Sequence, residues 1–247
     1  MIRTLLLITG AGFGLAAVCF IAVVALGGFH GGRQWTWRHP HAWPGRFDRD
    51  LPDGGGAAGT RQMAWTGGDR LEVDTAANVQ FTQAPGPGKL VVSGPKSALD
   101  HLVLNGSRLE SDDEGWSGGP VTVTMSAPNV RSFSLAGSGE LDIANYAQDS
   151  LDIDLSGSGR VNAKGKAGSV RLDISGSGDA DLGGLQASEV RADISGSGRA
   201  RVAPTQTADL HISGNGEIDL ATHPANVSSD VTGSGRIVEG APAAPAG

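Results

Sequence analysis

The sequence predicts an all-β fold: a single-chain parallel β-solenoid with coils of about 19 residues, preceded by an N-terminal transmembrane helix. Three observations support this fold class. A Ser-Gly-Ser-Gly-like turn recurs at an almost constant period, apolar and polar residues alternate on both sides of each turn, and a long segment without charged residues opens the chain.

The first 29 residues contain the predicted membrane segment. No charged residue lies between Thr4 and Phe29, and a helix of that length spans a hydrocarbon core about 30 Å thick. A cleaved signal sequence is the alternative, because small residues lie around Ala25–Gly28. The apolar run is longer than the usual signal-peptide core of about 7 to 15 residues. We therefore predict that residues 4–29 remain as a membrane anchor.

Residues 30–68 are predicted to be a linker, rich in His and Trp at first and in Gly later. The histidines His30, His39 and His41 have the chemistry to bind a transition metal. An interfacial tryptophan belt followed by a flexible tether explains the same composition, and we favour it. The only cysteine, Cys19, lies in the apolar run, which excludes an intramolecular disulfide and a cysteine-based metal site.

Charge is distributed unevenly along the chain. Residues 1–59 carry five basic and three acidic side chains, whereas residues 60–247 carry 14 basic and 23 acidic ones. An acidic body argues against nucleic acid and anionic lipid as partners. Aromatic residues make up only 5% of the chain, so the predicted interior is narrow and aliphatic.

The repeated turn defines the predicted solenoid domain, residues 69–239. Its tetrapeptides start at separations of 20, 19, 20, 18 and 19 residues. Glycine adopts positive φ without steric cost, so we interpret each turn as a structural corner. A phosphate-binding loop would need a following helix, which this pattern lacks. The predicted corner glycines, at the second and fourth positions of the motif, are Gly137, Gly139, Gly157, Gly159, Gly176, Gly178, Gly196, Gly198, Gly214, Gly216, Gly233 and Gly235.

Alignment of the repeats predicts columns of side chains on the outside of the solenoid. The first residue after each corner alternates in charge along the stack, which favours this register because neighbouring coils then attract one another. That column is Glu140, Arg160, Asp179, Arg199, Glu217 and Arg236.

The column before the corner places three carboxylates in succession: Asp154, Asp173 and Asp193. Carboxylates at strand spacing repel one another unless they are paired or bridged by a cation. They are therefore weak calcium candidates. The interpretation that we favour is a solvated acidic stripe paired with Arg171 and Arg191. No other metal, catalytic or cofactor-binding residue is assigned.

The two ends of the predicted solenoid differ. Residues 69–131 contain strand-like runs without Ser-Gly turns and are expected to form less regular first coils that cap one end. Residues 240–247 are Ala- and Pro-rich and are expected to form a disordered tail. An exposed solenoid end favours self-association, so a capped monomer and an end-to-end dimer both stay open.

The successive segments RLEVDTAANVQFTQ, KLVVSG, LNGSRLE and PVTVTMSAPNVRSFSLAGSGELDI resemble the bacterial GIN-domain family of adhesin head domains. This resemblance implies a β-solenoid in a bacterial cell envelope without an established enzymatic activity. It also decides the predicted orientation. The arginines that follow the membrane segment would by themselves favour the cytoplasm, but large domains translocate regardless of nearby charge. We therefore expect the solenoid on the periplasmic or outer side.

The sequence supports three functional hypotheses. The first is a non-enzymatic, membrane-tethered binding or scaffold module that presents a polar face to an envelope protein or a polysaccharide. The second is an envelope-stress or signalling component that acts through a membrane partner. The third is a polysaccharide lyase or hydrolase, which is disfavoured because short coils provide no long loops to build a cleft.

Overall fold

The computed structural model describes residues 58–112 and 121–240. Within these ranges, no helix is both long and apolar enough to cross a bilayer. The predicted membrane anchor (residues 4–29), the His- and Trp-rich part of the linker and the tail after residue 240 lie outside the described residues, so their predictions stand as made.

The described residues form fifteen β-strands and one short helix. In chain order these are β1 (Ala58–Ala64), β2 (Arg70–Val73), β3 (Ala77–Gln83), β4 (Lys89–Pro95), α1 (Lys96–Asp100), β5 (Leu102–Asn105), β6 (Arg108–Ser111), β7 (Val121–Ala127), β8 (Ser132–Gly137), β9 (Glu140–Gly157), β10 (Arg160–Gly176), β11 (Asp179–Gly196), β12 (Arg199–Gly214), β13 (Glu217–Leu220), β14 (Asn226–Gly233) and β15 (Arg236–Glu239). All fifteen strands belong to one sheet, which confirms the predicted all-β class.

A parallel solenoid accounts for the regular part of the fold, as predicted. Strands β9, β10, β11 and β12 each run from one Ser-Gly corner to the next and pair in parallel with the coil before and after. The paired residues are those that the repeat alignment puts together: Asp154 pairs with Asp173, and Asp173 with Asp193. A register shift in the middle of these strands marks a second bend, where Gly165 has φ +137°.

The two corner glycines serve different purposes, which corrects one sequence expectation. The second motif position has positive φ at every corner, for example +120° at Gly176. The fourth position does not. It requires glycine because a Cβ at Gly178 would lie 2.5 Å from a methyl carbon of Leu155 in the preceding coil. The corners also stack through the backbone: Ser177 N–H donates to the carbonyl of Gly157 at 2.8 Å, and the same bond recurs from coil to coil.

Alternation places one face of strands β2 to β13 in a continuous apolar core. Core side chains on both sides of the corner at Gly157, such as Ile153, Leu155 and Val161, are 2% exposed or less. The larger aromatic side chains lie toward the N-terminal end, where the rings of Phe81 and Phe133 meet edge to face with centroids 5.0 Å apart. The interior elsewhere is aliphatic, as the low aromatic content predicts.

The N-terminal end is a cap whose spatial order differs from its chain order. Strands β2 and β3 form a rudimentary coil that stacks directly under β8 and the start of β9. The chain then passes through β4, α1 and β5 before β6 and β7 form a coil on the far side of β2 and β3. Antiparallel partners close this end: β4 on β7, β1 on β4, and β5 on β6.

One boundary differs from the sequence prediction. Strand β1 lies within the segment predicted to be a linker, yet it pairs with β4 along its whole length, from Ala58 opposite Pro95 to Ala64 opposite Lys89. The strand is mostly exposed and has little apolar alternation. Its backbone pairing, which composition does not reveal, makes it part of the domain.

Candidate binding face

The strongest candidate for a functional surface is the side of the solenoid formed by the residues that precede each corner, here called the pre-corner face. It consists of two parallel columns of outward side chains. The column nearest the corner is Ser134, Asp154, Asp173, Asp193, His211 and Asp230. The second column, two residues earlier on each strand, is Ser132, Asp152, Arg171, Arg191, Asp209 and Ser228.

Arginines of the second column neutralise part of this acidic surface. Arg171 Nε lies 2.8 Å from Asp173 Oδ2, two residues along the same strand. The hydrogen bond that Arg171 donates to Asp173 raises the pKa of the Arg171 guanidinium, and the negative charge of Asp173 adds to this effect. These groups are solvent-exposed, so each pair contributes little to stability. Their effect is to fix the side chains in a regular array.

Arg191 connects neighbouring coils as well as neighbouring columns. Its Nε lies 3.1 Å from Asp193 Oδ2, and its Nη1 lies 2.8 Å from Asp209 Oδ2 in the next coil. The other oxygen of Asp209 lies 3.2 Å from His211 Nε2. Asp193, Arg191, Asp209 and His211 therefore form a continuous polar network across two coils.

The calcium candidates Asp154, Asp173 and Asp193 occupy adjacent rungs, as the alignment predicts. Two of the three are engaged by arginine, which is the pairing favoured from the sequence. Among residues 58–112 and 121–240, no group of three or more His, Cys, Asp or Glu side chains has an arrangement that could hold a metal ion. The pre-corner face is better described as a charged ladder than as a cation site.

The opposite side of the corner carries the column of alternating charge predicted from the repeat. The register pairs its members in the expected order. Glu217 lies 2.9 Å from Arg236 and 3.7 Å from Arg199, one coil on either side. This post-corner face is more nearly balanced in charge than the pre-corner face, whose two columns have six carboxylates and two guanidinium groups.

Shallow depressions run along the pre-corner face between successive side chains. One lies where Arg70 of β2 adjoins Asp152, Asp154 and Arg171. A second lies around Glu189 and Thr207, beside the Arg191 network. Both are open and formed by strand residues, so the face suits contact with an extended or broad partner rather than enclosure of a small molecule.

Sequence reasoning missed part of this face. Asp209 and the cap residue Arg70 were not recognised as members, although Asp209 occupies the same repeat position as Arg171 and Arg191. Extending the alignment by one more column would have found Asp209. No periodic signal marks Arg70, because its pairing with Ser132 depends on how β2 stacks in the cap.

Comparison with known proteins is consistent with this architecture. A family model described as "Putative auto-transporter adhesin, head GIN domain" matches residues 68–224, which is more than half of the chain. The chain belongs to this GIN-domain family. The family match covers the cap from β2 onward and the regular coils up to β13, and it confirms the resemblance recognised in the sequence.

Several solved structures are similar to the GIN domain. A "putative adhesin" from Bacteroides fragilis superposes with a TM-score of 0.61 at 23% identity, over 74% of this chain and 96% of that one. A "putative adhesin" from Parabacteroides distasonis gives a TM-score of 0.47 at 17% identity, over 75% and 98% of the two chains. A "putative lipid binding protein" from the same species gives 0.45 at 19% identity, over 74% and 97%. No curated protein shows significant sequence similarity.

Proposed function

We propose that the protein is a non-enzymatic, membrane-tethered binding module of the bacterial cell envelope, and that the pre-corner face contacts an envelope protein or a polysaccharide. The observation that carries this proposal is the uninterrupted ladder of Asp and Arg side chains over consecutive coils. Solenoids provide extended binding surfaces of this kind. Membership of an adhesin head family supports the same role.

The geometry favours binding over catalysis. Hydrolysis or elimination at a sugar needs acid and base groups that converge on one bond inside a cleft. Here Asp173, Asp193 and their arginines lie on successive strands of a parallel sheet and are part-exposed or exposed to solvent. Repetition of the same groups at strand spacing suits a partner that is itself repetitive or broad.

The charge of the face indicates which partners it would select. Six carboxylates against two guanidinium groups leave the two columns net negative, with His211 counted as neutral. Such a surface attracts a partner that presents cationic groups or hydrogen-bond donors, and it repels acidic ones. Binding through it is expected to weaken as ionic strength rises.

A charge-removal experiment tests the face directly. The tagged full-length chain is used to recover partners from detergent-solubilised envelope fractions, alongside the triple variant Asp154→Asn, Asp173→Asn, Asp193→Asn. The matched control removes three carboxylates from the other side of the corner: Asp142→Asn, Asp181→Asn, Asp219→Asn. We expect recovery to fall about fivefold or more for the pre-corner variant only. Equal loss in both variants, or no loss in either, would contradict the proposal.

A topology experiment tests the location. A C-terminal tag is exposed to protease in intact cells, in spheroplasts and in lysate. We expect protection in cells and digestion in spheroplasts, with the anchor retained in the tagged band. Protection in spheroplasts and digestion only after lysis would place the domain in the cytoplasm and overturn the envelope role.

A further inference from the structure

Up to residue 240, no element of the chain covers the apolar side chains of the last coil. Every residue of β14 is exposed. Val227 and Val231 are 43% and 40% exposed. Yet they continue the inward columns of Ala208 and Ile212, which are buried. Within the described part of the chain, the outer edge of β14 has no strand partner, because β14 pairs only with β12.

This edge lacks the features that normally prevent strands from associating. Proteins protect exposed edges with proline, lysine, bulges or very short strands. Strand β14 is eight residues long, reads NVSSDVTG, and contains neither proline nor lysine. Its pairing with β12 runs without a register shift from Asn226 to Gly233. The edge is therefore a continuous row of unpaired backbone donors and acceptors.

The sequence of β14 is complementary to itself when it is reversed. About a centre at Ser229, Val227 meets Val231, Ser228 meets Asp230, and Asn226 meets Thr232. Apolar residues then face apolar ones, polar residues face polar ones, and the single charge of the strand, Asp230, faces a serine hydroxyl. Direct opposition of two Asp230 side chains, which would be repulsive, does not occur.

A second copy of this chain is the partner that supplies such a strand. Two solenoids meeting end to end about a two-fold axis present their last coils with opposite senses of circulation. Their β14 strands therefore run antiparallel, which is a favourable arrangement for strand pairing. The following segment of the same chain is a poorer partner, because Pro242 and Pro245 lack backbone N–H groups to donate.

We propose that two copies associate through their C-terminal ends by antiparallel pairing of β14, centred on Ser229. The contact is confined to one coil from each copy, so it belongs with small, transient interfaces. Its apolar part, Val227 and Val231, lies on the inward columns, whereas the binding role proposed for the pre-corner face rests on outward side chains of the preceding coils.

A single-cysteine experiment tests this register in the full-length chain, in mild detergent. The background is Cys19→Ala, which removes the only native cysteine. In the proposed dimer the two Ser229 residues are directly opposite, with their Cβ atoms about 4.5 to 5.5 Å apart. A small movement of the strands then brings two cysteines at this position to the Cβ separation of a disulfide, about 3.5 to 4.5 Å. We expect Ser229→Cys to give a covalent dimer on gentle oxidation. The matched control, Ser228→Cys, points outward and is offset from its equivalent, so it is expected to remain monomeric.

A second measurement separates end-to-end pairing from association through the membrane segment. Adding Val231→Lys places a charge within the contact, opposite Val227 of the second copy, and should reduce the cross-linked fraction about tenfold. The matched control is Val238→Lys in β15. Val238 is 39% exposed, close to the 40% of Val231, but it lies in the outward column of Asp219, outside the contact. This control should leave cross-linking unchanged. Both valines are already exposed, so neither variant is expected to unfold the coil.

Four outcomes would overturn the proposal. The first is a Ser229→Cys chain that stays monomeric on oxidation. The second is equal cross-linking of Ser228→Cys and Ser229→Cys, and the third is an equal loss of cross-linking with both lysine variants. The fourth is cross-linking that appears only after the chain is shortened to end at Gly240, because the tail would then be the natural cover of this end.

Discussion

At its N-terminal end the solenoid is closed by added structure, whereas at its C-terminal end no described residue covers the last coil. The cap places three antiparallel strand pairs and a helix beneath the first coils, and its side chains Leu90, Ala98 and Leu102 are fully buried. Strand β14 at the other end has no buried residue at all. The same chain thus contains a sealed end and an end built like an interior coil.

This difference shows where the stability of a solenoid is concentrated. Each coil is stabilised by its own contacts and by those with its immediate neighbours. A coil in the middle has two such neighbours, and the last coil has one. We therefore expect cap and middle substitutions to change the free energy of unfolding of the whole domain, and substitutions at the last coil to affect that coil alone.

The largest effect is expected from Phe81→Ala in the capped half. Phe81 is 1% exposed and packs against the ring of Phe133, so truncation leaves a cavity and should cost about 3 to 5 kcal/mol. At the open end, Ile237→Ala should cost less than about 1 kcal/mol, because that side chain is only partly covered. Urea denaturation followed by circular dichroism measures both. Similar losses from the two variants would show that the ends are energetically alike.

The second effect concerns the corners. Gly176→Ala forces a residue with a Cβ to adopt φ +120°, with that Cβ 2.5 Å from the carbonyl oxygen of Gly157. Strain of this kind costs about 1 to 3 kcal/mol. Gly176 lies at the corner between β10 and β11, which are both interior coils. Gly233→Ala has the same local clash, with Gly214, but only the last coil lies beyond it. Hydrogen exchange should accelerate over several strands in the first variant and only in β14 and β15 in the second. A global change in both would argue against independent coils.

A third test uses the only tyrosine, which lies in β9 within the interior. Tyr146 donates its hydroxyl hydrogen to the carbonyl of Ser150, and burial raises the pKa of the phenol above its ordinary value of 10.0. The raised pKa means that the domain keeps the full contribution of this group below about pH 10 and loses it as the pH rises further. Tyr146→Phe should cost about 1 kcal/mol at neutral pH and should reduce the loss of stability in alkali. An identical alkaline profile for both proteins would exclude Tyr146 as its source.

The smallest effect is expected from the column of alternating charge. Glu217→Gln removes the contacts to Arg236 and Arg199. Because the arginines are well exposed, the change should be a few tenths of a kcal/mol. It should appear as slightly faster hydrogen exchange in β15, and 1 M salt should have the same effect on the unmodified protein. A change of several kcal/mol would mean that surface charge, rather than the apolar columns, holds the last coil in place.

Periodicity accounts for what the sequence predicted well. The spacing of the corners correctly predicted the coils from β8 onward. It therefore also predicted which residues lie beside Asp173 and Arg160 in the neighbouring coils. The inward side chains of the alternating pattern are buried from β8 to β13 and exposed in β14, as at Val231. Stacking transmits one register from coil to coil, so a single correct alignment determines many contacts at once.

The cap could not be predicted in the same way, because its residues do not repeat. The chain places the coil of β6 and β7 outside the coil of β2 and β3, although β6 and β7 come later in the sequence. The pairing of Arg70 with Ser132 and the inclusion of Ala58–Ala64 both follow from that arrangement. On the pre-corner face, the alignment does not predict that Arg191 pairs with Asp209 in the next coil. The column allows several pairings, and side-chain geometry decides which one forms.

The alternation of charge along the post-corner column has a consequence for how the length of such a domain can evolve. Each coil adds a rise of about 4.8 Å, so gain or loss of coils is the natural way to change reach. Deleting one interior coil would place two like charges side by side, for example Glu140 next to Asp179 if the coil of Arg160 were lost. Deleting two would restore the sequence of opposite signs. Gain or loss of coils in pairs therefore keeps every neighbouring pair of charges in this column attractive, whereas a change of one coil introduces a repulsive pair.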